Sequence, residues 1–163
     1  MIPSAGLLTL EAANLFCGRN TESHHLRLLD VRLPGMDEQY VDHRPGGAPV
    51  GIEVDVQLNK LQCDFTLAGW TPHVAELVDA WSTNQQQFMF YGALRDRVMT
   101  NVVQAAATMT GRLGRADMQS YRRGAENAWA YSIRAIIYYQ LIVGDETVYE
   151  WDFFTNTLTV AGQ

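Results

Sequence analysis

The chain has 163 residues, 47% of them hydrophobic and 18% charged, with a formal charge of -6. It is long enough to bury a core as one domain spanning 1–163, too apolar to be disordered, and too acidic to hold nucleic acid on a basic surface, since Lys60 is its single lysine. The acidity is uneven: residues 1–81 carry 11 acids and 5 bases, and residues 82–163 carry 7 of each.

The N-terminus shows no basic segment before an apolar stretch, so no signal peptide is expected. An apolar patch around Leu15-Phe16 ends at Gly18, and 19–23 is a polar turn. Cys17 and Cys63 fall in strand-like segments; two cysteines make no disulfide framework, and buried free thiols are expected. The segment from His24 to Leu33 alternates imperfectly and predicts a strand, interrupted at Pro34-Gly35. Residues 35–51, GMDEQYVDHRPGGAPVG, are dense in Gly, Pro and acids, which denies them a continuous helix or central strand. They predict a long loop between two strands, a kind of segment used for binding or left mobile.

Gly51 to Leu67 is the most patterned stretch. Alternation puts Ile52, Val54, Val56 and Leu58 on one face of a strand, and Glu53, Asp55 and Gln57 on the other. A second strand puts Leu61, Cys63, Phe65 and Leu67 opposite Gln62, Asp64 and Thr66. A two-residue turn at Asn59-Lys60 would sort every cross-strand pair, apolar with apolar and polar with polar. It would also oppose Asp55 to Asp64, at a cost of about 0.2–1 kcal/mol. The polar face is then a solvated sheet surface or an acidic surface with a role.

Thr71 to Trp81 predicts a helix, with Thr71 as cap, Pro72 at the first position, and Val74, Leu77, Val78 and Trp81 as one apolar stripe. Strands are expected over Gln87–Leu94, Val102–Leu113 and Trp129–Val143, with a polar connection from Asp117 to Asn127. In the last of these strands Trp129, Tyr131, Ile133, Ala135, Ile137, Tyr139 and Leu141 share a face. Gly144-Asp145 turns into a partner strand, Thr147 to Asp152, and Thr157 to Val160 is a last edge strand. The run from Ala135 to Val143 is too short to cross a bilayer as a helix, and no membrane insertion is expected. The predicted fold is mainly β with one packed α-helix, its antiparallel sheets forming a sandwich or barrel-like body.

Catalytic and metal chemistry find little support. His24, His25, His43, Asp37, Glu38 and Asp42 are metal-ligating types, but adjacent histidines on a strand point apart. Asp55 with Asp64 has the composition of an acid–base dyad without a substrate clamp nearby. No G-x-S-x-G, phosphate-binding glycine loop or C-x-x-C occurs. No catalytic, cofactor or metal residue is assigned, and a non-enzyme is expected; a ligand-binding β-barrel is the competing class.

Several motifs, in order, carry a resemblance. They are Met1-Ile2-Pro3 with Asn14-Leu15-Phe16; His43-Arg44, Gly46-Gly47 and Ala48-Pro49-Val50; then Ile52, Glu53, Asp55, Lys60-Leu61, Asp64 and Phe65-Thr66-Leu67. Phe88 to Leu94, Thr110-Gly111-Arg112-Leu113, Tyr138-Tyr139-Gln140-Leu141 and Val148 to Asp152 follow. Together they resemble the major tail tube protein of contractile-tailed bacteriophages, a family shared with R-type pyocins. Pro45 stands where that family usually has Ala, the spacer before Ala48 is shorter, and the family's C-terminal helix is not found before Gln163.

The resemblance implies hexameric rings stacked into a tube inside a contractile sheath, located in the virion tail and assembled in the host cytoplasm. It implies self-association as well as sheath, tape measure, baseplate and tail terminator partners. DNA would pass through the lumen without specific binding during ejection through the host envelope, and no cofactor is implied. A tube of a phage-derived particle or secretion system is the alternative. On this reading Glu53, Asp55, Gln57, Gln62 and Asp64 line the channel, and the 35–51 loop, with Tyr40, His43, Arg44, Pro45, Gly46 and Gly47, reaches a neighbouring subunit or ring.

Overall fold

The computed structural model describes residues 6–18, 22–78 and 83–161. Its strands are β1 (Leu8–Cys17), β2 (Leu28–Arg32), β3 (Glu38–His43), β4 (Ile52–Leu58), β5 (Cys63–Ala68), β6 (Gln86–Asp96), β7 (Val102–Met118), β8 (Ala128–Val143), β9 (Glu146–Asp152) and β10 (Thr157–Val160). One helix, α1 (Pro72–Glu76), lies between β5 and β6. Every pairing is antiparallel. The fold is therefore mainly β with one short helix, as the alternation patterns indicate.

Eight strands form one sheet, ordered β1-β6-β7-β8-β5-β2, with β9 also pairing to β8 and β10 to β9. The sheet curls on itself. Phe65 on β5 meets Phe90 on β6 edge to face at 5.8 Å, although β7 and β8 lie between them in the ladder. Tyr131 stacks on Phe65 at 5.2 Å. Leu15, Cys17, Phe88, Met109, Ile133 and Tyr139 complete the interior, and each large apolar side chain buried there contributes about 1.5–3 kcal/mol. Both cysteines are free and buried, and burial pushes the Cys17 thiol up to about 12. The curl stops short of a closed barrel: β1 and β2 end the path without a ladder between them. The His24 N–H to Leu15 C=O bond, 3.1 Å, links the segment before β2 to β1.

The expected hairpin at Asn59-Lys60 does not form. β4 pairs with β3, whereas β5 pairs with β2 and β8. The chain runs straight through 59–62, so that β2–β3 and β4–β5 make one long ribbon. Arg32 lies opposite Asp64, the Asn59 N–H donates to the Asp37 C=O at 2.7 Å, and Glu38 lies opposite Leu58. The reversal falls instead at 44–51, where two prolines and three glycines sit. Pro and Gly fix or free φ where a chain must reverse, and Asn-Lys does neither. The segment 35–51 is accordingly not a loop throughout: its middle is β3.

Three further expectations are corrected. The predicted strand over His24–Leu33 shortens to β2, because the Arg27 and Leu28 N–H groups close a turn on the His24 carbonyl. The helix ends at Glu76; Val74, Leu77 and Val78 pack on the core as a stripe, while Trp81 lies outside the described residues. Thr71 makes no side-chain cap; its hydroxyl accepts from Arg27 at 3.4 Å. So short a helix is held by packing and not by propensity. Finally, the inward row on β8 breaks at Ala135, which is exposed at φ 50°, and Ile136 is buried instead. A bulge against β7 between Thr110 and Arg112 causes the break.

Candidate functional site

The β3–β4 ribbon projects from the body as an arm. It is a separate two-stranded sheet, and such a ribbon is marginal on its own in water. Its root is anchored where Leu33, Met36 and Leu61 pack against the core. Beyond the root all of β3, and β4 up to Gln57, is exposed.

Alternation gives the arm two unlike faces. Val41 lies opposite Val54 and His43 opposite Ile52; a bulge at Val56 then exchanges the faces of β4, setting Gln57 against Gln39 on the Val41 side and Leu58 against Glu38 on the Tyr40 side. Val41, Ile52, Val54 and Val56 are 52%, 61%, 41% and 59% exposed. The pattern that signals a buried face is present, yet nothing among the described residues covers it. On the other face Asp42 opposes Glu53 and Tyr40 opposes Asp55. The Tyr40 hydroxyl donates to the Glu38 carboxylate. That bond and the charges of Glu38, Asp55 and Glu53 raise the Tyr40 phenol above its ordinary value. Gln57 donates to Gln39 at 3.1 Å, and Arg44 meets Asp42 at 3.6 Å in an exposed ion pair.

The sequence-predicted channel residues are thus divided. Glu53, Asp55 and Gln57 lie on the arm; Gln62 and Asp64 lie at the body. Asp55 and Asp64 are not opposed and sit in different sheets, so they form neither a like-charge pair nor a dyad. Of the predicted assembly residues, Tyr40 and His43 are in β3, and Arg44, Pro45, Gly46 and Gly47 form the reversal at the arm's tip.

Asp64 sits in a row that the sequence did not reveal: Arg32, Asp64, Ser132 and Arg115 are cross-strand neighbours over β2, β5, β8 and β7. Desolvation pushes its carboxyl up. Hydrogen bonds from Gln62 (2.8 and 3.0 Å) and Ser132, with the Arg134 and Arg32 guanidiniums, outweigh that and hold it below the usual carboxylate value. Arg112 lies directly opposite Arg134 in the next row. The body's polar face is therefore mixed in sign, and the arm carries the concentrated acidity. Only cross-strand register brings these arginines to Asp64, and no spacing in the chain signals it.

Among the described residues no three His, Cys, Asp or Glu side chains converge in a metal-holding group, and no helix is long and apolar enough to cross a membrane. No curated protein matches the chain. A family model described as Phage tail tube protein FII matches residues 8–163, which takes in every strand from β1 to β10. The chain belongs to the phage tail tube protein FII family.

Proposed function

We propose that this structural tail tube protein assembles into hexameric rings that stack as the inner tube of a contractile tail and conduct DNA through the host envelope. The observation that carries the reading is the arm, a ribbon whose Val41, Ile52, Val54 and Val56 its own body leaves uncovered. Exposed apolar patches of this kind mark association surfaces. The unpaired edges of β1, β2 and β10 add to it, since edges left open in a lone subunit are satisfied when neighbours extend the sheet. Head-to-tail contact between unlike surfaces closes a ring when the rotation allows. Sheath, tape measure, baseplate and terminator proteins are the partners, and assembly takes place in the host cytoplasm. The protein makes and breaks no bond.

With the apolar face buried on a neighbour, the opposite face of the arm is left for the bore. Glu53 and Asp55, continued by Gln62 and Asp64, then line the channel, while the bulge at Val56 turns Gln57, the other residue expected there, to the Gln39 side. Carboxylates repel phosphates over roughly 8 Å at physiological salt, so DNA slides without adhering. Tyr40, His43 and the Arg44-Pro45-Gly46-Gly47 tip reach the neighbouring subunit or ring. Electron microscopy of purified protein tests this: six-fold rings or tubes are expected, with Glu53 and Asp55 on the inner wall. Density that places those carboxylates on the outer wall refutes the channel assignment, and a different ring symmetry refutes the hexamer.

A further inference from the structure

β7 and β8, 17 and 16 residues long, run side by side through the body. At about 3.3 Å per residue, the two ends of this pair lie roughly 50 Å apart. Exposed large apolar side chains gather at both ends.

At the first end the β7–β8 connection meets the segments before β2 and after β5. The Gly69 N–H donates to the Asn127 C=O at 2.8 Å, and the Ala68 N–H to the Arg27 C=O at 2.7 Å. Leu26, Trp70, Met118 and Tyr121 stand there, each more than half exposed. At the second end the β8–β9 turn meets the β6–β7 turn and the start of β1. The Gly144 N–H donates to the Gln104 C=O at 2.7 Å, and the Arg97 N–H to the Leu7 C=O at 2.9 Å. Leu7, Val98, Met99 and Val102 stand there, again each more than half exposed.

The ends differ in sign. In the β7–β8 connection Arg122 and Arg123 outnumber a single acid, Glu126, and Arg27 lies beside it with its guanidinium on the Thr71 hydroxyl. At the other end Asp145 and Glu146 stand in the turn, while the nearby Arg95 and Arg97 face Glu11 at 2.9 and 4.0 Å. No ion pair among the described residues engages Arg122, Arg123, Asp145 or Glu146. We infer that the Arg122-Arg123 end of one copy seats on the Asp145-Glu146 end of a copy in the next ring, so that rings stack head to tail with one polarity. The inference rests on the stacked-ring reading above and names its stacking surfaces. The apolar residues supply the burial. Exposed ion pairs add little affinity. They select the mate, because like end on like end would set arginine against arginine or carboxylate against carboxylate. Unlike surfaces at opposite ends of one body make a contact that repeats without closing, as a tube of many rings requires.

Charge reversal tests it in the full-length chain, since all four side chains are exposed. Arg122→Glu with Arg123→Glu sets acids against Asp145 and Glu146; Asp145→Arg with Glu146→Arg sets bases against the arginines. Each double variant should keep the monomer's Tm and still form rings, yet give about tenfold fewer tubes than wild type by electron microscopy. All four changes in one chain exchange the signs and restore the match, and tube yield should return to within about threefold of wild type. Normal tubes from either double variant, loss of the rings along with the tubes, or no recovery in the fourfold variant overturns the inference and leaves the tube reading standing. Cysteine pairing is a second measurement, in which the buried Cys17 and Cys63 do not interfere under mild oxidation. Tyr121→Cys mixed with Met99→Cys should form the mixed disulfide in tubes about tenfold more than Tyr121→Cys mixed with Phe154→Cys, exposed in the β9–β10 turn. Equal yields overturn the inference. Wild-type protein that never assembles overturns the tube reading, and this inference with it.

Discussion

Gly111 sits where β7 and β8 slip past each other in register. A Cβ built there would lie 3.0 Å from the Arg134 carbonyl oxygen and 3.1–3.2 Å from Ile133 and Ile136. Neither a backbone oxygen nor two core side chains can retreat cheaply, so Gly111→Ala should destabilise by about 1–3 kcal/mol, lowering Tm by roughly 2–4 °C per kcal/mol. Gly35→Ala meets nothing within 4 Å and should change stability by less than about 0.5 kcal/mol; thermal melts of both separate the cases. His24 offers a second test. It is buried, and neither ring nitrogen has a hydrogen-bond partner among the described residues. Burial lowers its pKa, the Arg27 and His73 charges add to the lowering, and Glu22 opposes it. The sign follows from linkage. Above about pH 6.5 both folded and unfolded His24 are neutral and the group contributes nothing. As pH falls below that value the unfolded chain binds the proton first, so folding loses stability until the folded pKa is reached. Urea melts above and below pH 6.5 should show that loss in the wild type and a flatter profile in His24→Phe; parallel profiles would refute the assignment.

At the scale of elements, the arm is the part whose stability and use diverge. The body buries Phe65, Leu67 and Tyr131, and the arm beyond Asp37 and Asn59 adds no residue to that core. The 2.7 Å Asn59–Asp37 backbone bond, with the Asn59 side chain on the Asp37 carboxylate at 2.8 Å, marks a natural place to cut. Replacing 38–58 with a short Gly-Ser turn should leave a folded monomer, with the far-ultraviolet dichroism of the body and Tm within a few degrees of the wild type. That variant should form no rings by sedimentation velocity. Tubes of normal length from it would show that the arm is dispensable.

The whole molecule is a like-charged building block, with a formal charge of -6 per copy and the excess in the half that holds the arm. Bringing copies together concentrates those carboxylates, so ionic strength should favour assembly. Light scattering should show faster tube growth at about 0.5 M salt than at about 0.05 M, as the Debye length shrinks. A salt-insensitive rate would mean that subunit charge is compensated at the contacts. The open sheet acts at the same scale. With β1, β2 and β10 as edges, a free copy carries unpaired backbone groups, and hydrogen exchange at β2 and β10 should slow on assembly.

The sequence by itself determined where most strands lie, because alternation at period two is a local property. Gln87–Leu94, Val102–Leu113 and Trp129–Val143 fall inside β6, β7 and β8, and Gly144-Asp145 turns with Gly144 at φ +62°. It also determined the faces of 52–55 and, through motif order, the family; the bulge at Val56, which exchanges the faces of Gln57 and Leu58, came only from the pairing with β3. The tertiary structure alone decided which strands are partners. Pairing Ile52–Leu58 with Leu61–Leu67 sorts apolar with apolar and polar with polar, but β5 gains more between β2 and β8, where Phe65 and Leu67 are buried, than a lone hairpin provides. Once β5 is claimed by the body, β4 is left to β3, and its apolar row projects into solvent. A row of valines signals burial but is silent on whether the cover comes from the same chain or from its neighbour.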